Sequence, residues 1–161
     1  MNIYKTSFDK IAFEERVKLK CFHCKRYSVN WTCPPKIIGV DYKKILSEYD
    51  NLAIIAKSFE YNNLTNLNAL RFKSTNELHK EMLEIEKILF GKNEIMAQSF
   101  IGGSCKLCKN GCGKEKCNNP EKARIPIEAL GINVIKTLEN IGIKVVFSST
   151  KHFFRIGLLT W

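Results

Sequence analysis

No run of apolar residues in this chain approaches the roughly 18 that a membrane-spanning helix needs. The opening Met1-Asn2-Ile3-Tyr4-Lys5 has nothing like the apolar core of a secretory signal. A cytoplasmic location is the expectation from these two absences. Histidine is scarce, at three, and His79 and His152 stand apart from other ligating residue types, so both read as surface or structural side chains. There is no phosphate-cradling loop: Gly113-Lys114 lacks a glycine five residues before Gly113, and Glu115 follows the lysine. Neither C-x-x-C is followed by histidine, which removes covalent haem attachment. No grouping of Ser, His and acid suggests a hydrolase. No internal repeat or low-complexity tract is visible.

Acidic residues are outnumbered, 16 against 26 Lys and Arg, for a formal charge of +10. The basic residues are mostly lysines spread along the chain, without the dense run or interleaved aromatics of nucleic-acid-binding surfaces. The charge is better read as a solvated surface or as attraction to an acidic redox protein partner, with a small-molecule substrate as the other partner class. Seven ionised thiolates around two metal cores of about +2 each would lower the charge to about +7 whether the metal were iron or zinc.

What the chain has in number is cysteine. Seven is odd, so a complete disulfide framework would leave one thiol over, and clustered cysteines in a reducing compartment more often bind metal. At 161 residues the chain is long enough to bury a core without disulfides, and one domain, 1–161, is expected.

The periodicities predict an α+β protein, with a mixed, roughly four-stranded sheet packed with helices and cysteine-rich loops. Val17, Leu19 and Cys21 alternate with lysines as in a short strand or extended entry. Trp31-Thr32-Cys33-Pro34-Pro35 is necessarily non-helical, because two prolines remove donors and force extended geometry before them. Asp41 should cap a short helix bearing Tyr42, Ile45, Leu46 and Tyr49, and Leu52 to Tyr61 reads as a buried strand. Ser74-Thr75-Asn76-Glu77 fits a capping box ahead of Leu78, Met82, Ile85 and Leu89, with Gly91 as the stop. Glu94 to Ile101 alternates as a strand. Pro126 should open a helix through Ile141, weakened at Gly131 and stopped at Gly142, and Ile143 to Ser148 and Phe153 to Thr160 suggest a hairpin.

Two cysteine groups carry the chemistry. Cys105-x2-Cys108-x3-Cys112-x4-Cys117 puts four thiols in one short loop with Gly102, Gly103, Gly111 and Gly113 around them. Close, unequal spacings with glycines let a loop fold round a 4Fe-4S cubane, whereas structural zinc more often uses two short-spaced pairs with a long spacer. Iron-sulfur is the leading reading, with zinc and redox thiols as alternatives. Cys21-x2-Cys24-x8-Cys33 is one thiol short of a closed site. The missing ligand has four sources: His23, an oxygen side chain, another part of the fold, or a small molecule on an open iron. His23 sits inside the x2 spacer, where ring geometry rarely lets three neighbours bind one metal.

Cys21-x2-Cys24-x2-Tyr27-x3-Trp31-x-Cys33-Pro34-Pro35 resembles the N-terminal signature of the predicted metal-binding proteins of domain of unknown function 2284. Gly103-x-Cys105-x2-Cys108-x3-Cys112-x4-Cys117, then Pro120, Arg124, Pro126, Glu128-Ala129-x-Gly131-Ile132-x-Val134 and Thr137, resembles the second half of that family. The resemblance implies metal binding by all seven cysteines and supplies no reaction. The expected function is an iron-sulfur protein in electron transfer, or the redox subunit of an assembly. One rival is an enzyme using an open-site cluster as a Lewis acid in sulfur removal or a lyase step; the other is a zinc-stabilised binding module.

Overall fold

The computed structural model describes residues 1–61, 66–144 and 152–161. Four strands, β1 (Asn2–Thr6), β2 (Leu52–Glu60), β3 (Gln98–Ile101) and β4 (His152–Thr160), form one sheet in the order β1-β2-β4-β3. The α+β class with four strands and packed helices is therefore what the chain adopts. Among the described residues all three ladders are antiparallel rather than mixed, and parallel pairing enters only as an isolated bridge between Ile101 and Pro126.

Residues 52–56 of β2 and 157–160 of β4 are buried on both faces because both faces are covered there. Leu52 and Ile54 of β2, Phe100 of β3 and Leu158 of β4 pack into one core with Leu46 of α2 (Tyr42–Ser47), Leu138 of α4 (Val134–Asn140), Ile127 and Leu130. Ile55, Ile101 and Leu159 point the other way, against Leu78 and Met82 of α3 (Leu67–Phe90). At Gly157 a Cβ would lie 2.2 Å from the Met82 sulfur, so a larger residue there would push the Met82 side chain out of its place against the sheet. Among the described residues no helix is long and apolar enough to cross a membrane.

Several expectations are corrected. Val17 to Cys21 lies in a helix, α1 (Arg16–Phe22), not a strand. None of its residues is buried, so the alternation recorded no buried face, and five residues cannot separate the two periods. The capping box at Ser74 is not used. α3 starts eight residues earlier in the chain than expected from it, at Leu67, where the Asn66 side chain accepts from the backbone N–H groups of Asn68 and Ala69. Ser74 and Thr75 are buried inside the helix, and their hydroxyls donate back to the Arg71 carbonyl. β3 is confined to its last four expected residues. The helix expected from Pro126 is divided into a 3-10 turn, Ile127–Leu130, and α4, because Gly131 takes a left-handed φ of 85°. The edge strand β1 has no sequence counterpart, since its mostly exposed residues carry no clear alternation. Most of the expected strand Ile143 to Ser148 lies outside the described residues. The Asp41 cap, β2, the Gly91 stop and the strand over Phe153 to Thr160 are as expected.

Candidate metal centre

The last turn of α1 presents Cys21, and Cys24 follows as the helix ends, its N–H donating to the Cys21 carbonyl at 3.0 Å. The chain then closes on itself. Ser28 N–H donates to the Pro34 carbonyl at 2.8 Å, and Cys33 N–H to the Asn30 carbonyl at 3.1 Å, so Cys33 is held buried in a compact loop. The second cysteine loop leaves the end of β3. Within it, a Cβ at Gly113 would lie 2.2 Å from the Lys116 carbonyl oxygen, so the backbone can fold this tightly only around glycine.

Two side chains from the first loop tie it to the second. Asn30 Nδ2 donates to the Cys105 carbonyl at 3.0 Å, and the Trp31 indole N–H to the Gly113 carbonyl at 2.8 Å, with the Lys36 ammonium 4.2 Å from the Trp31 ring centre. Residues 75 and 82 positions apart in sequence are thereby fixed side by side.

The thiols segregate into two cavities. Cys105, Cys108, Cys112 and Cys117 line one of about 180 Å³, together with Arg26 and Lys106. Cys21, Cys24 and Cys33 line another of about 210 Å³, together with Lys20 and Glu128. Cys33 and Cys105 are near enough for their charges to act on one another across the wall between the cavities. Among the described residues, no three or more Cys, His, Asp or Glu side chains are drawn together in a group that could hold a metal ion.

Burial dominates the electrostatics. It pushes the Cys33 thiol up to about 12, with the charges of Cys24 and Cys21 acting in the same direction. Burial also raises Cys21, helped by the charge of Glu128 and then of Cys24, and raises Cys105. Bringing these sulfurs to the thiolate form therefore requires positive charge nearby, which is what a metal core supplies. Lys106, whose Nζ donates to the Ser104 carbonyl at 3.0 Å, is itself lowered by burial and then by the charges of Arg155 and Arg26.

Sequence reasoning missed several neighbours of the thiols. Asn119 Nδ2 donates to the Cys108 sulfur at 3.1 Å. Glu128 stands in the three-cysteine cavity although it is 95 residues beyond Cys33, and its only sequence signal was membership of the run after the last cysteine. His23 lines an outer groove of about 790 Å³ with Lys20 and Glu128. His79 is fully buried, with its Nε2 2.8 Å from the Lys122 carbonyl, a structural role as expected.

An α+β fold carrying seven thiols around two adjoining cavities offers a donor set suited to soft metals. The chain matches the model of the predicted metal-binding protein family DUF2284 over residues 5–160, and it belongs to that family. Neither the curated proteins nor the solved structures contain a match to it.

Proposed function

We propose that the protein is an iron-sulfur electron carrier, or the redox subunit of a larger assembly, with Cys105, Cys108, Cys112 and Cys117 holding a 4Fe-4S cluster and Cys21, Cys24 and Cys33 at a second site. The observation that carries this reading is that all four cysteines of the second loop line a single cavity. A lone tetrahedral zinc with Zn–S bonds of about 2.3 Å needs its sulfurs within about 4 Å of one another. In a cubane each thiolate binds a different iron, so the sulfurs stand round a space instead of meeting at a point. A cavity of about 180 Å³ with four cysteines in its wall supports the second of these arrangements.

When bound, such a cluster supplies one-electron chemistry. The protein's own groups set the conditions for it. Asn119 donates to the Cys108 sulfur, and Arg26 and Lys106 line the cavity with positive charge; both features favour the reduced, more negative state. Asn30 and Trp31 lock the two loops together, which keeps the two sites adjacent. The surplus of Lys and Arg suits an acidic redox partner.

A second reading, substrate chemistry at the three-cysteine site, draws support from the groove whose wall includes Lys20 and Glu128, residues that also line the thiol cavity. Anaerobic purification followed by iron, sulfide and zinc analysis tests the leading reading. Brown protein containing iron with inorganic sulfide is the expected outcome; colourless protein with stoichiometric zinc and no sulfide, made under iron-replete anaerobic conditions, would overturn it in favour of a zinc-stabilised module.

A further inference from the structure

The three-cysteine cavity contains one acidic side chain, and its position is fixed from both directions along the chain. Ile127, Ala129 and Leu130 are buried in the core, and the 3-10 turn they form leaves half-buried Glu128 facing the space lined by Cys21, Cys24 and Cys33. One carboxylate oxygen, Oε2, accepts from the backbone N–H of Gly103 at 3.1 Å. Metal-bound carboxylates are characteristically held by such a hydrogen bond, which orients the group and leaves the second oxygen for the metal. His23, the other protein group suggested by the sequence, lines the outer groove with Glu128 instead.

We infer that Glu128 is the fourth ligand of the Cys21, Cys24 and Cys33 site, giving a set of three thiolates and one carboxylate. The inference rests on the metal-site reading of these cysteines, but it holds for iron and zinc alike. A carboxylate is a harder donor than a thiolate and binds soft or borderline metals less firmly. Glu128 also lines the outer groove, which gives small ligands a path to the oxygen corner of the site. With a metal bound, a small thiol or sulfide entering from the groove would compete with the Glu128 carboxylate, and Cys21, Cys24 and Cys33 would keep the metal in place.

The test uses the full chain, reconstituted anaerobically with ⁵⁷Fe(II) and sulfide, as wild type, Glu128→Gln and Cys24→Ser. Glutamine keeps an acceptor for the Gly103 N–H while removing the charged donor, and metal retained at the Cys105 to Cys117 loop serves as the internal sign of correct folding. The wild type should bind more metal than Cys24→Ser and show a Mössbauer doublet from oxygen-ligated iron. Glu128→Gln should lose that doublet and yield the metal of the first site to a chelator at least about tenfold more readily. A Glu128→Gln protein with unchanged doublet and chelator resistance, beside a wild type that loads the site, would overturn the assignment of Glu128 alone. Equal metal content in wild type and Cys24→Ser would overturn the metal site itself, and the ligand assignment with it. Protein as purified that carries zinc in place of iron, with the same difference in chelator resistance between wild type and Glu128→Gln, would sustain the assignment while overturning the iron-sulfur reading.

Discussion

Replacing Glu86 by leucine should destabilise the protein by about 3–5 kcal/mol, because it removes one partner of a buried ion pair and leaves the other uncompensated. Glu86 lies on α3, largely buried, and its Oε1 accepts from the Ser99 backbone N–H at 2.6 Å and from Arg124 Nε at 2.8 Å, while Oε2 pairs with Arg124 Nη2. Arg124 also donates from Nη1 to the carbonyls of Glu121 and Ala123, each at 2.9 Å. A single carboxylate thus joins α3 to β3 and to the segment that follows Cys117. Domains of this size have about 5–15 kcal/mol of stability in all, so the loss is a large fraction of the total. In Glu86→Leu/Arg124→Leu the uncompensated charge is gone, and the deficit should shrink toward the about 1–3 kcal/mol of an orphaned Ser99 N–H. Urea unfolding followed by circular dichroism measures both variants, and metal analysis of the single variant should show the Cys105 to Cys117 loop losing metal before the first site. The reasoning is refuted if the single variant stays within about 1 kcal/mol of wild type, or if the double variant is less stable than the single.

Cys108→Ser should lose metal and melting temperature together, since metal sites of this kind contribute folding free energy directly; unchanged metal content would contradict its role as a ligand. Asn119→Ala removes the N–H···S hydrogen bond to Cys108 and should move the reduction potential of the C-terminal site to more negative values in film voltammetry. Burial holds His79 below its ordinary value of 6.5, so the folded protein keeps it neutral while the unfolded chain takes up a proton as pH falls through about 6.5. Stability should therefore fall on acidification below that pH, and His79→Gln, which can still donate to the Lys122 carbonyl, should flatten that part of the profile in urea titrations. Gly157→Ala should cost about 1–3 kcal/mol by overpacking against fully buried Met82, and Met82→Ala in the same chain should relieve the clash at the expense of a cavity, a non-additivity visible in a double-mutant cycle.

The groups of cysteines were legible in the sequence because ligand spacing is a local property. Four thiols between Cys105 and Cys117 can scarcely avoid sharing one loop, and Pro34 and Pro35 keep Cys33 out of a helix whatever surrounds them. The strands Leu52–Glu60 and His152–Thr160 were equally visible, since their apolar halves, 52–56 and 157–160, answer to burial on two faces. The α1 segment was not, because its alternation reflects lysines on an exposed helix and not a buried face. Nor was the true start of α3: Ser74 and Thr75 offer a capping sequence, but burial against the sheet and hydrogen bonds to Arg71 make them interior helix residues. Which distant residues meet the thiols was beyond any spacing rule. Asn30 and Trp31 reach the second loop, and Glu128 reaches the first, only because β3, the 3-10 turn after Pro126 and the loop after α1 converge at one end of the sheet. The sequence by itself determined the thiols and their two groups. The tertiary structure decided that the two groups adjoin and that the Glu128 carboxylate lines the three-cysteine cavity, since long-range contacts follow from packing on the whole sheet and leave no periodic trace in the chain.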